Sequence, residues 1–561
     1  MSAPLPSPRA AVPGLSVSQL RERLQGQTEI ALIDVREQGV RARDGHILRS
    51  AGLPLSHLEL RAAALLPRLN APIILTDAGD EALARLAAAR LQALGYSQVS
   101  VLLGGVAAWQ AQGGELFTGT SALSKAFGEF VEHQYGTPHL SVRELKRRLD
   151  DGEKIVLLDG RTLAEFADFS IPGALACPNG ELVHRVHPLL ADESTPVVVN
   201  CAGRTRSIIG AQTLINSGLK NPVLALENGT MDWLTAGYTL QTGIEATVPK
   251  PLPNQLQQAD EAFAHLVSHY QLTIIDLQTL AQYRSEASQR TLYVFDVRTR
   301  DEYQSGHLPG AHWVQAGQLV QGVDVYVGVQ NARVVLVDDS LGVRAAVAAS
   351  WLAQIGWSDV AILKVGPDQA TETGAGSQPL WRSLPPVDDV LPADLAKLLE
   401  SSDAVLLDFD NSPAYENGHI PGARFAIRAR LDQRLADLPG NGLIVLTSAD
   451  DRLARLAAAQ VRELSGRSVK VLIGGTQAWV AAGLPLETGE TFLWDMPDDV
   501  WRSPYKVAGD RQAAFQAYLD WELGLVEQLQ RDGTASFNIF PAVTRAAGAT
   551  ESATPDLTNG G

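Results

Sequence analysis

The sequence predicts an α/β protein of four tandem doubly wound domains, each around a central parallel sheet, with helical linkers and a helical C-terminal tail. Three observations predict it. The 561 residues exceed what one ordinary hydrophobic core organises. An apolar strand ending in Asp, followed by a Gly-His-Ile/Leu-Pro-Gly-Ala phrase, occurs four times in more or less complete form. A strand that turns through glycine into a helix bearing Trp closes three of the four repeats. Repeats of roughly 110–120 residues are domain-sized rather than solenoid-sized. Strand and helix patterns alternate inside each one, the mark of a parallel sheet with helices on both faces.

In chain order, the first landmark reads Asp34-Val35-Arg36 with Gly45-His46-Ile47, then Asp159-Gly160-Arg161 with Ile171-Pro172-Gly173-Ala174. It continues as Asp296-Val297-Arg298 with Gly306-His307, and as Asp408-Phe409-Asp410 with Gly418-His419. His307 and His419 thus read as structural turn residues. The closing landmark is Gly104-Gly105 before Trp109, Asn228-Gly229 before Trp233, and Gly474-Gly475 before Trp479. The third repeat keeps only Ile362 to Gly366 and then runs into the Gly-, Thr- and Ala-rich stretch Pro367 to Ser377. The repeats read as domains over 10–118, 139–243, 272–378 and 385–490. A helical linker covers 119–138 and a linker with a helix covers 244–271. A helical extension follows at 491–541, its Phe515, Tyr518 and Trp521 read as packing on the repeats, and a disordered tail at 542–561.

Composition narrows the function. Hydrophobic residues at 45% and charged residues at 19% belong to a folded globular protein. A formal net charge of −17 argues against general nucleic-acid binding, which needs clustered Lys and Arg. Only two cysteines occur, Cys177 and Cys201, too few for a disulfide framework or a Cys-based zinc site. No metal and no organic cofactor is implied. The N-terminus lacks a signal-peptide core and no stretch is long enough to span a bilayer, so the expected location is cytoplasmic, away from membranes.

The most informative stretch is Cys201-Ala202-Gly203-Arg204-Thr205-Arg206, with Ser207 and an apolar helical pattern behind it. It follows the apolar run Pro196–Asn200, which reads as a short buried strand. A strand, a six-residue loop from Cys to Arg and a helix make an anion cradle, because loop N–H groups turn inward and the helix start adds positive potential. Ligands in such sheets sit beyond the carboxyl ends of the strands, where Cys201 falls. In that field Cys201 is expected to be a thiolate at neutral pH, below its free value of roughly 8.5, and to act as a nucleophile.

Taken together, the Asp-x-Arg strand end, the Gly-His-Ile-Pro-Gly-Ala phrase, the Cys-x4-Arg loop and the Gly-Gly…Trp closing helix resemble the rhodanese family of sulfurtransferases. The likeness covers most of residues 10–490. Where the second repeat has Cys201, the first has Asp77, the third Asp339 and the fourth Ser448, so one catalytic and three inactive domains are expected. The resemblance implies double displacement. Cys201 takes the outer sulfur of thiosulfate or a related persulfide and passes it to a thiol or cyanide acceptor. On that implication the loop residues Ala202, Gly203, Arg204 and Thr205 bind substrate. Arg204 is the better placed to meet the oxygens of a dianion. Arg206 closes the cradle or braces the loop through carbonyls or a carboxylate. Asp159, Arg161 and Ser207 stand behind them, and a purely structural Asp159–Arg161 pairing is equally expected.

Competing readings remain at this level. Cys177 is a buried small hydrophobe or, less favoured, a resolving thiol. His184 and His187 read as surface or capping residues, with lining the site mouth as the alternative. Cys-dependent phosphatases also use a Cys…Arg loop, but with five intervening residues where this loop has four, and Asn200 stands where they usually place His. A scaffold or sulfur-relay protein is the alternative from another class, and homo-oligomerisation is compatible with the repeats.

Overall fold

The computed structural model describes residues 12–543 apart from 377, 402, 403, 441 and 508. The N-terminal residues 1–11 and nearly all of the expected disordered tail, from 544 onward, lie outside the described residues. Each repeat forms a five-stranded parallel sheet with its strands, numbered within the repeat, in the order 1-5-4-2-3. The central strands are short, apolar and buried along their length, as parallel strands between two helical layers must be. Four doubly wound α/β domains are the architecture that the repeats predict.

The closing landmark has a physical reason. In the second repeat, Gly229 sits at a φ of 51°, and a Cβ there would collide with the Cys201 carbonyl. Gly105 and Gly475 occupy the same position against the carbonyls of Asp77 and Ser448. The close approach lets the closing helix donate two backbone hydrogen bonds into the loop. Thr230 donates to Cys201 O at 2.9 Å and Met231 to Ala202 O at 3.1 Å. Val106 and Ala107 do the same in the first repeat, Thr476 and Gln477 in the fourth. The third repeat has a short 3-10 turn, Pro367–Gln369, after strand Val360–Lys364 instead of the Trp-bearing helix.

The Asp-x-Arg landmark is an internal clamp. Arg161 is buried, pairs with Asp159 through its side chain at 2.8–3.1 Å and reaches the Phe169 carbonyl at 2.5 Å. Arg36 and Arg298 make the equivalent bonds to Asp34 and Gly45, and to Asp296 and Gly306. The Gly-His histidines are structural as well: His307 and His419 stack on Tyr303 and Tyr415 and bond their carbonyls at 2.8 Å.

The repeats pack into one another. Tyr293 of the third donates to Leu65 O of the first at 2.7 Å, and Trp351 Nε1 donates to Thr213 Oγ1 of the second at 2.8 Å. One apolar core runs through the first three repeats, while the fourth has its own. The fourth docks on the first through Arg428, paired with Glu59 at 2.7 Å. Two helices bridge repeats, Ala122–Tyr135 and Gln257–Tyr270. The extension forms the turn Pro504–Lys506 and the long helix Arg511–Asp532. Among the described residues no helix is long and apolar enough to cross a membrane.

The fourth repeat tests the clamp by lacking it. Asp410 replaces the arginine, and burial pushes the Asp408 carboxyl up to about 7. A carboxyl raised on folding stabilises the fold below its unfolded pKa of about 4, and that stability is lost as pH rises towards 7. Asp408→Asn is therefore expected to stabilise the fourth domain at pH 8 by a few kcal/mol, on the order of 3. The gain should vanish below about pH 4. Thermal melts of the full chain at the two pH values read this directly.

Candidate active site

Cys201 stands directly after strand Val197–Asn200, at the carboxyl edge of the second sheet, and helix Thr205–Asn216 starts four residues on. Ser207, in the first turn, donates its hydroxyl to Cys201 Sγ at 3.1 Å. The loop between them is the anion cradle, and the first repeat shows how it works. There the Asp77 carboxylate accepts from the backbone N–H groups of Gly79, Glu81 and Ala84 at 3.0–3.2 Å. An anionic side chain has filled the cradle. In the fourth repeat Ser448 Oγ accepts from Ala454 N–H at 3.3 Å. In the third, Asp339 accepts from the N–H groups of Leu341 and Gly342 at 2.9 and 3.2 Å, while Asp338 and Asp339 hold Arg344 at 3.0 and 2.7 Å. Among the four equivalent positions the second alone presents sulfur.

Both loop arginines are committed to carboxylates. Arg204 forks onto Glu129 at 2.9–3.1 Å, also binds Glu132, and reaches Asn228 Oδ1 at 3.3 Å. Glu129 and Glu132 lie on the bridging helix Ala122–Tyr135, brought close because Gly128 leaves room for the Thr205 methyl. The expectation that Arg204 meets an incoming dianion is thereby corrected, since its guanidinium anchors the loop to the bridging helix. Arg206 takes the bracing role, forking onto Glu165 with two bonds of 2.8 Å. Burial works against ionisation of Glu165, but the Arg206 pair prevails and holds its carboxyl at about 2. Asp159 and Arg161 spend their hydrogen bonds on one another and on Phe169, as the structural pairing has it.

The ionisation of Cys201 also departs from the sequence reading. Its residue is only 2% exposed, and burial pushes the thiol above its ordinary value. Arg206 and the Ser207 hydroxyl and N–H pull it back, and Glu522 adds to the rise. Cys177 is a buried core residue whose thiol burial raises strongly, and both cysteines are free. His184, expected near the surface, is buried with Nδ1 3.7 Å from Glu181.

Much of the cover over the site comes from the extension, which sequence patterns did not connect to it. Tyr505 donates to the Ala202 carbonyl at 3.1 Å, and Thr205 Oγ1 donates to Glu522 Oε1 at 3.3 Å. Phe515 and Leu519 pack with Met231 of the closing helix. Of the partners the sequence reading did not include, Glu165 had a signal, the Thr162-x-x-Glu165 capping box, whose carboxylate also serves Arg206. Glu129, Glu132 and Glu522 carry no local signature.

A buried cysteine thus stands at the carboxyl edge of a parallel sheet, on a loop whose two arginines are braced by carboxylates. The Rhodanese-like domain model matches residues 16–112, 141–236, 277–371 and 391–482. The chain belongs to the rhodanese family of sulfurtransferases. The crystal structure of a thiosulfate sulfurtransferase from Pseudomonas aeruginosa superposes with a TM-score of 0.90 and 45% identity, covering 94% of this chain and 100% of that one. A putative sulfur carrier protein of Bacillus subtilis is 28% identical over 134 residues, 22% of this chain and 71% of that protein. An HTH-type transcriptional regulator of Mycobacterium tuberculosis is 34% identical over 105 residues, 18% of this chain and 46% of that protein.

The thiol state is measurable. The rate of Cys201 alkylation by iodoacetamide should climb with pH through a midpoint above the free-thiol value of about 8.5. Arg206→Gln should move that midpoint higher, because the lost cation favours the thiolate. A midpoint below 8 in the wild type would contradict the burial argument.

Proposed function

We propose that the protein moves sulfane sulfur from thiosulfate, or a related persulfide, to a thiol or cyanide acceptor through a persulfide on Cys201. The observation that carries this reading is the contrast among the four loops. Three hold an oxygen group of their own side chains against loop N–H groups, and the second holds a sulfur nucleophile with a hydroxyl donor at 3.1 Å. The likeness to a thiosulfate sulfurtransferase across the whole of that chain supports the choice of donor.

In the first half-reaction the Cys201 sulfur bonds to the outer sulfur of thiosulfate, the donor S–S bond breaks, and sulfite leaves with the electron pair. In the second, the acceptor takes the terminal sulfur and Cys201 is released, a double displacement with ping-pong kinetics. Arg204 and Arg206 serve as loop braces in this scheme, and the inward N–H groups and the start of helix Thr205–Asn216 supply the field for the persulfide anion. A second reading, a scaffold or relay protein, draws support from the three occupied cradles. The site acts without a metal or organic cofactor in either reading, and the reaction is proposed for the cytoplasm.

Intact-protein mass decides between the readings. Thiosulfate treatment should add one sulfur, about 32 Da, to the wild type and none to Cys201→Ser, and cyanide or a thiol should remove it. No gain with thiosulfate or any persulfide donor would leave the scaffold reading.

A further inference from the structure

The joint between the first and third repeats encloses a cavity of about 400 Å³ whose residues the sulfur chemistry does not use. Helix Leu58–Leu65 of the first repeat supplies Arg61 to one wall. The third repeat supplies the others: Phe295, His312 and Trp313 from its sheet, Tyr303 from helix Arg300–Ser305, and Tyr326 from the short helix Val323–Tyr326. The second repeat contributes no residue to the lining. Small-molecule sites are cavities of this size, largely apolar, with a few polar groups that fix the orientation of the ligand.

The polar groups of this cavity are unspent. Guanidinium groups withdrawn from water demand anions, and other arginines at the joints between repeats have them. Arg68 has Glu29 at 2.6 Å, Arg428 has Glu59 at 2.7 Å, and Arg344 has Glu181 at 3.2 Å. Arg61 is half-buried and, among the described residues, makes no hydrogen bond, ion pair or ring contact. The carboxylates close to it in the fold are taken. Glu59, on the same helix, serves Arg428 and Arg90, and Asp324, on the helix of Tyr326, serves Arg41. Burial and the neighbouring Arg41 both pull Arg61 below its ordinary value, yet a guanidinium keeps its proton inside proteins. The Tyr326 hydroxyl and the His312 ring likewise have no hydrogen-bond partner among the described residues. Burial holds His312 below its ordinary value, so at neutral pH its ring is uncharged and has one N–H to donate. In a chain of net charge −17, this is an electropositive cavity walled by aromatic rings.

We propose that the cavity binds a small organic anion with a flat ring, an aromatic carboxylate or sulfonate. Arg61 pairs with oxygens of the anionic group, the Tyr326 hydroxyl donates to the same group, and the ring lies among Phe295, Tyr303 and Trp313. Neither half of such a ligand is enough. An inorganic anion meets the guanidinium but leaves the aromatic walls wet, and a neutral ring covers the walls but leaves the cation unpaired. The proposal does not depend on the chemistry of Cys201. A ligand held here touches both repeats, across the joint where Tyr293 already donates to Leu65 O at 2.7 Å. Occupancy therefore stabilises the folded chain, because the unfolded chain has no such cavity.

Calorimetric titration of the full chain with 2-naphthalenesulfonate tests this. A single saturable site is expected, and Arg61→Gln should weaken it about 10- to 100-fold, the loss of one charge-assisted pair. Tyr326→Phe should weaken it several-fold, and Cys201→Ser should bind as the wild type does. Sulfate and 2-naphthalenemethanol, which carry the two halves of the probe separately, should each bind at least about 10-fold more weakly than the probe. No saturable binding of the sulfonate, or binding that Arg61→Gln leaves unchanged, overturns the proposal. Thermal melts add a readout that needs no ligand. Arg61→Gln alone should melt at or above the wild-type temperature, because an unpaired cation has been removed, and the sulfonate should raise the Tm of the wild type more than that of the variant. An Arg61→Gln chain that melts well below the wild type, or fails to fold, means that the protein itself already satisfies the guanidinium, and the proposal falls.

Discussion

The whole site hangs on a backbone interlock between two turns of the same sheet. The closing helix of a repeat donates two consecutive N–H groups to the carbonyls of the residue at the thiol position and the one after it. Those carbonyls are then satisfied on the outer side of the loop. The loop N–H groups are left pointing inward, where an anion can take them. The interlock needs the two turns closer than a Cβ allows, which is why glycine stands at 105, 229 and 475. The third repeat has lost that helix, and its loop is organised by Arg344 instead, buried among Asp338, Asp339, Glu302 and Glu181. Geometry that the backbone supplies in three repeats is supplied there by charge.

Charge placement separates the second domain from its copies. A cradle that holds Asp77 is neutralised by its own side chain, and one that holds Ser448 needs no counter-charge. The second loop carries two arginines and a thiol, and buried guanidinium groups demand carboxylate partners. Three glutamates supply them: Glu165 from the same repeat, Glu129 and Glu132 from the bridging helix. The pairs fix the loop, and Arg206 still pulls the Cys201 thiol down against the burial that raises it. Burial then decides the ionisation of Cys201.

The parts of this architecture that were legible in the sequence are those whose causes are local. Asp159 and Arg161 are two residues apart, the Cys201 loop is contiguous with its strand, and Gly229 precedes its Trp by four. Such spacing exposes a turn or a clamp directly. The rise of the Cys201 thiol has no local signature, because burial is its largest cause and Glu522, more than 300 residues downstream, adds to it. Arg204 was misread for the same reason: a free loop arginine and one forked onto Glu129 share one local sequence. The helical pattern of the extension was visible around Phe515 and Trp521, but an amphipathic helix does not say which surface it will cover.

The three domains without a cysteine are not separable from the one that has it. Arg344 of the third repeat binds Glu181 of the second at 3.2 Å with its own side chain wholly buried, so the loop of the third repeat is built partly by the second. The apolar core is continuous through the first three repeats, and the bridging helix that supplies Glu129 packs against Phe537 and Trp351 through Phe127. The fourth repeat is held to the first by Arg428 and Glu59, and the chain that leaves it passes over the thiol loop. Lost nucleophiles therefore do not mark dispensable domains. They mark positions where an oxygen group satisfies the same cradle, which lets the fold persist as the framework that places four glutamates and a covering helix around one buried sulfur.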